Sequence, residues 1–97
     1  MIRHVVAFSF REDADRAARD AVLEELARFP ARFPAMRRFA LNRNISQRDT
    51  TYTHAFFVEF DDEAALVSYL SSAAHEEFVE RRWRPVIAAR AIASIEA

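Results

Sequence analysis

Two apolar runs of matching pattern, RHVVAFSF at residues 3–10 and THAFFVEF at residues 53–60, predict an α+β fold. Each is followed by a capped helical stretch and then by a further strand. Both runs read His-x-x-x-x-x-Phe, which makes His4 and His54 equivalent positions in two halves. The order strand, helix, strand, strand, helices, strand is two copies of strand-helix-strand. That is the plan of a ferredoxin-like βαββαβ sandwich, an antiparallel sheet with helices on one face.

The first strand covers residues 2–10, with Ile2, His4, Val6, Phe8 and Phe10 on one face and Arg3, Val5, Ala7 and Ser9 on the other. Asp13 is a candidate cap for a helix running to about Phe29, because Ala18, Val22, Leu26, Phe29 and Phe33 form one apolar stripe. Pro30 and Pro34 are expected to end it in stages. A weaker strand follows at 37–44, and the polar run NISQRDT turns the chain into a strong strand at 52–60. With no glycine in the chain, Asn44 and Asp49 are the expected left-handed turn residues. Asp61 or Asp62 caps a short helix holding Leu66, Tyr69 and Leu70, and Ser71 or Ser72 caps another holding His75, Phe78, Val79 and Trp83. Pro85 falls near its end, and residues 90–96 read as the closing strand. The first and third strands are expected as parallel neighbours in the middle of the sheet, with His4 and His54 side by side about 4.8 Å apart.

Composition narrows the chemistry. The 97 residues make one domain, 1–97, and a chain this short buries only ~60 to 65% of its unfolded surface. No apolar run approaches the ~20 residues that cross a bilayer, so no membrane role is expected. Met1 leads directly into a strand with no secretion-type leader, which points to a cytoplasmic location. Absence of Cys removes disulfides, thiolate nucleophiles and thiolate zinc sites. Without Lys there is no Schiff-base catalysis, and without Gly there is no dinucleotide fingerprint, phosphate-cradling loop or Gly-x-Ser-x-Gly nucleophile elbow. The 14 basic residues, all Arg, are balanced by 15 acids, and a net charge of -1 gives no field for a nucleic acid partner.

One face of the sheet is left without helices, yet the two central strands place Val5, Ala7, Ala55 and Phe57 there. An open apolar face asks for a cover, and a second copy packed sheet to sheet supplies one, so a homodimer is expected.

The layout, together with HVVAFSF, YTHAFFVEF and YLSSAAHEEFV, resembles the stress-responsive dimeric alpha/beta-barrel (Dabb) family over the whole chain. The resemblance implies ferredoxin-like subunits whose sheets pair into a dimeric α/β barrel. Among the family's members, olivetolic acid cyclase-type polyketide cyclases imply a cofactor-independent aldol cyclisation of a linear poly-β-ketone. By position in those motifs the acid–base pair falls on Tyr69 and His75, with His4 and His54 as supporting pocket residues. The expected substrate-binding set is therefore His4 and His54 with the neighbouring Val6, Phe8 and Phe56. This chain departs from the family pattern in having Ser72-Ala73-Ala74-His75 where His-Pro-x-His is common, Thr51 where Gly is common, and Ser94-Ile95 where Asp-Phe is common.

If Ser72 caps its helix, His75 lies in the first turn, where unpaired NH groups and the helix dipole disfavour an imidazolium. A neutral imidazole can take a proton, and a phenol at Tyr69 can polarise a carbonyl. The function expected is a cyclase-, lyase- or isomerase-like enzyme on a small apolar keto metabolite, with no cofactor and no metal. Other readings stay open. Tyr69 also suits a core aromatic, and His75 a helix-start residue bonded to backbone. His4 and His54 also suit satisfied buried polar groups. The whole chain also suits a non-enzymatic stress-responsive or ligand-carrying dimer. A metal held by three His lacks a His-x-x-His or Glu-x-x-His pair in its favour.

Overall fold

Alternating burial makes β1 (Ile2–Phe10) a strand with two unlike faces. In the computed structural model, which describes residues 1–97, Ile2, His4, Val6 and Phe8 are buried while Arg3 is exposed and Val5 and Ala7 are half-buried. The remaining elements are α1 (Arg16–Ala27), α2 (Phe29–Arg32), β2 (Arg37–Arg43), β3 (His54–Phe60), α3 (Glu63–Ser71), α4 (Ala73–Phe78) and β4 (Ile87–Glu96). A π-helical turn, Val79–Trp83, follows α4 directly. The sheet order is β2-β3-β1-β4 and every neighbouring pair is antiparallel, the ferredoxin-like arrangement.

β1 and β3 are neighbours but not parallel, which corrects the expected placement of the two histidines. A short loop joins β2 to β3, so β3 runs against β2, and it lies between β2 and β1 and opposes both. His4 therefore faces Val58, and His54 faces Phe8. Four strand residues, or about 13 Å, separate the two levels.

Helix starts are set by which acids are free to cap. Asp13 is held by the Arg11 guanidinium through bonds of 2.9 and 3.0 Å, so Asp15 caps α1 instead, its Oδ1 accepting from the Ala18 NH at 2.8 Å. Pro30 does not end a helix; it lies in the first turn of α2, where its missing NH costs nothing. Asp62 caps α3 through the Ala65 NH, and Ser72 caps α4 through the His75 NH. The apolar stripe of α1 and α2 buries Val22, Leu26 and Phe29 against the sheet.

The β2–β3 loop replaces glycine with side-chain hydrogen bonds. Asn44 donates to the carbonyls of Asp49 and Tyr52 and accepts from the Ser46 NH, while Asp49 accepts from the Thr51 NH. Neither adopts the left-handed conformation expected of it. Arg38, at φ 52°, is the residue that does, at a bulge where the β2–β3 register shifts between Arg37 and Ala40.

The π-helical turn has a packing consequence. Phe78 and Trp83 are five residues apart, a spacing that an α-helix would rotate off one face and a π-turn keeps on it. Both are buried, their ring centroids 6.3 Å apart, and Trp83 packs over Phe8 at 4.9 Å. Glu25 on α1 fixes the turn from outside by accepting from Arg81 at 3.1 Å and Arg82 at 3.3 Å.

No helix covers the opposite sheet face. Val5, Ala7, Ala55 and Phe57 are half-buried there, and Ile95 is 56% exposed. Glu59 also points to this face but is only 3% exposed, lying 3.8 Å from the Arg3 guanidinium and 3.6 Å from that of Arg38.

Phe8, with no exposed surface, sits where the sheet meets the π-turn. Phe8→Ala is expected to lower the unfolding free energy by about 3–5 kcal/mol. Ile45→Ala, at a residue 90% exposed, should stay within about 0.5 kcal/mol. Urea denaturation of both variants checks this, and similar losses would contradict the assignment of Phe8 to the core.

Candidate active site

Between the helices and the β1–β4 half of the sheet lies a cavity of about 490 Å³. It is lined by 17 residues, 13 of them hydrophobic, and the other four are His4, His75, Arg84 and Arg90. No carboxylate lines it.

Tyr69 and His75 meet at one end because α3 stops at Ser71 and α4 starts at Ala73. Ser72 sits in extended backbone between them, and its hydroxyl donates to the Tyr69 carbonyl while accepting from the His75 NH. This reversal brings the two rings to a centroid separation of 4.7 Å, edge to face. Tyr69 is packed by Phe29, Phe33 and Phe60 and is 5% exposed. Burial pushes its phenol far above the ordinary value of 10, with no hydrogen bond contributing, so the hydroxyl keeps its proton for donation.

His75 Nδ1 lies 3.1 Å from the Leu70 carbonyl oxygen. A carbonyl only accepts, so the neutral ring carries its proton on Nδ1 and leaves Nε2 as an acceptor. Burial holds this imidazole below its ordinary value of 6.5, against the opposing influence of the Leu70 carbonyl and Glu76. The largest cause is desolvation, not the start of the six-residue α4.

His4 comes up from the sheet beneath Tyr69, with ring centroids 6.3 Å apart. It is 2% exposed, and its Nδ1 lies 2.7 Å from the Ser94 hydroxyl on β4. A hydroxyl can donate or accept, so His4 can meet either kind of partner on its cavity side. Burial lowers its proton affinity, and His75 nearby lowers it further.

The expected site residues divide accordingly. His4, Val6, Phe56, Tyr69 and His75 line the cavity. Phe8 and His54 do not: Phe8 lies beneath Trp83, and His54 stacks on Phe8 at 5.6 Å, its Nδ1 held by the Thr53 hydroxyl at 2.9 Å. His54 faces a separate polar hollow at the β2–β3 loop, a direct result of antiparallel pairing. The three imidazoles thus do not converge, and no group of three His, Cys, Asp or Glu is placed to hold a metal ion.

The other twelve of the 17 lining residues were not expected at the site, among them Trp83, Arg84, Arg90 and Ile92. Strand parity carried part of the signal. β4 starts at Ile87, not at 90, and its residues Arg90, Ile92 and Ser94 face Phe8, Val6 and His4 on the helix side.

This is a ferredoxin-like fold with helices on one sheet face and an imidazole–phenol pair in an apolar cavity between the layers. The chain belongs to the stress responsive A/B barrel domain (Dabb) family, whose family model matches residues 2–97. It is similar to a Dabb family protein with a ferredoxin-like fold from Mesorhizobium loti, at 25% identity and TM-score 0.86, covering 99% of this chain and 95% of that one. A dimeric ferredoxin-like protein of unknown function from Thermobifida fusca matches at 20% identity and TM-score 0.81, covering 99% and 90%. The hydroxynitrile lyase of Passiflora edulis matches at 16% identity and TM-score 0.84, covering 97% and 90%. No curated protein matches the chain. No helix is long and apolar enough to cross a membrane.

Because His4, His54 and His75 are all depressed below 6.5, the unfolded chain binds more protons than the folded one just under that value. Stability is fully present above pH ~6.5 and is lost as pH falls through the folded values. Asp13 and Asp49, also depressed, act only below their ordinary 3.8, so the slope between pH ~6.5 and ~5 belongs to the histidines. Urea midpoints at pH 7 and 5 should show the loss, and His4→Gln should reduce it. A flat profile would contradict the buried, neutral state of these rings.

Proposed function

We propose that the chain is a small homodimeric protein whose cavity supports cofactor-independent acid–base catalysis on a keto compound, of the cyclase, lyase or isomerase kind. The observation that carries this reading is the Tyr69–His75 pair, with a retained phenol proton and an unoccupied Nε2 lone pair at one end of an apolar cavity.

In the reaction proposed, the Tyr69 hydroxyl donates to the substrate carbonyl oxygen. His75 Nε2 takes a proton from the adjacent carbon, and the C–H electron pair becomes the enolate double bond. The low-polarity surroundings strengthen the bond from Tyr69 to the developing oxyanion. Attack of the enolate carbon on a second carbonyl closes a ring, and the His75 proton passes to the new alkoxide. Run in reverse, the same steps cleave a carbon–carbon bond. A lyase among the structural neighbours supports this class of chemistry.

Homodimerisation rests on the uncovered sheet face, with Val5, Ala7, Phe57 and Ile95 on it, and on structural neighbours described as dimeric. Native mass spectrometry should give a dimer, and Ala7→Arg, which places a charge in the middle of that face, should give a monomer. A wild-type monomer would overturn the pairing. A second reading, a non-enzymatic stress-responsive or ligand-carrying dimer, is favoured by the enclosure of Tyr69 among Phe29, Phe33 and Phe60, as a core aromatic would be.

Turnover of β-keto acids and poly-β-ketones separates the two readings. His75→Ala should lower kcat/KM by about 10²- to 10⁴-fold, and Tyr69→Phe should lower it by about 10-fold or more. Equal rates in wild type and both variants would sink the acid–base assignment. Binding without turnover that persists in His75→Ala would favour the carrier.

A further inference from the structure

The formal charges on the cavity lining are two guanidiniums, Arg84 and Arg90, with no carboxylate among the lining residues. Arg84, beyond the π-turn, is paired with Glu80. Arg90 forms no ion pair with any acid of the chain, although nine of the other arginines do. Its place on β4, opposite Phe8, puts it on the helix-facing side of the sheet, not on the open face.

The two kinds of polar group occupy different levels. His4 faces Ser94, Val6 faces Ile92 and Phe8 faces Arg90, so the cavity passes from imidazole through an apolar middle to guanidinium along one strand pair. Trp83, immediately before Arg84 in the chain, lies over Phe8, the residue opposite Arg90. The His4 and Arg90 levels lie four strand residues, or about 13 Å, apart along the β1–β4 pair, so a ligand reaching from one end to the other carries several methylenes between its two polar groups.

We propose that the cavity takes a keto carboxylate, with its carbonyl at Tyr69 and His75 and its carboxylate at Arg90, assisted by Arg84. This rests on the reading of the cavity as the reaction site and adds the substrate's charge and length. An arginine pairs with a carboxylate through two parallel bonds and orients it. Anchoring the tail fixes which carbon beside the ketone is presented to His75, so Arg90 is a specificity-determining residue.

Trp83 is the only tryptophan and lines the cavity, so its fluorescence reports occupancy. Titration with 7-oxooctanoate and with the neutral ketone octan-2-one should show the acid binding about tenfold or more tightly than the ketone. Arg90→Gln should bring the two within about twofold, and Arg90→Lys should restore part of the difference. Added salt should weaken the acid alone. Equal affinities in wild type, no saturable response to the acid, or a preference that survives Arg90→Gln combined with Arg84→Gln would overturn the proposal. Deuterium exchange beside the ketone, followed by NMR in wild type and His75→Ala, tests the catalytic reading separately. Absence of exchange alongside Arg90-dependent binding would remove the catalysis and leave the carboxylate site standing.

Discussion

Antiparallel pairing of β1 with both β3 and β4 decides where every functional group lies. Side chains directly opposite one another across an antiparallel pair share a face, so Val58, Phe56 and Phe60 join His4, Val6 and Phe8 under the helices. The same register carries Ser94 to His4 and Arg90 to the level of Phe8. A shift of one residue would turn all of these outward and put Glu59 and Arg3 into the core. The cavity therefore has its polar ends and apolar middle because of the pairing, before any helix is considered.

Helix geometry then completes the chemistry. Ser72 ends one helix and begins the next, and that break folds Tyr69 and His75 together across six residues. A continuous helix would set residues six apart about 120° round the axis and about 9 Å along it. Both rings owe their protonation states to the same surroundings: low polarity keeps the phenol protonated and the imidazole neutral. An acid and a base therefore coexist without a charge on either.

Much of this was readable from composition and pattern. The two His-x-x-x-x-x-Phe strands, the apolar stripe of α1 and α2, and the capping roles of Asp62 and Ser72 are local features, and local features leave marks in sequence. Strand direction left no such mark. A strand reads the same whichever way its neighbour runs, so His4 and His54 were expected to adjoin and instead lie at opposite ends of β1. Asp13 failed as a cap for a related reason, because nothing local shows that Arg11 will take it first. Trp83 and Arg90 both lay within elements expected from the sequence, but the strand that β4 pairs with, and so the face Arg90 shares with Phe8, left no local mark.

The π-turn also makes the cavity's width a matter of helical phase. Such a turn is in effect one extra residue carried within a helix, and here it seats an indole over Phe8 on the sheet. Loss or gain of a single codon between Val79 and Trp83 would rotate that wall by about 100° relative to β4 while leaving all four strands in register. The scaffold can thus change the shape of what it accepts by length variation in one short segment, without any exchange of residues at Tyr69 or His75.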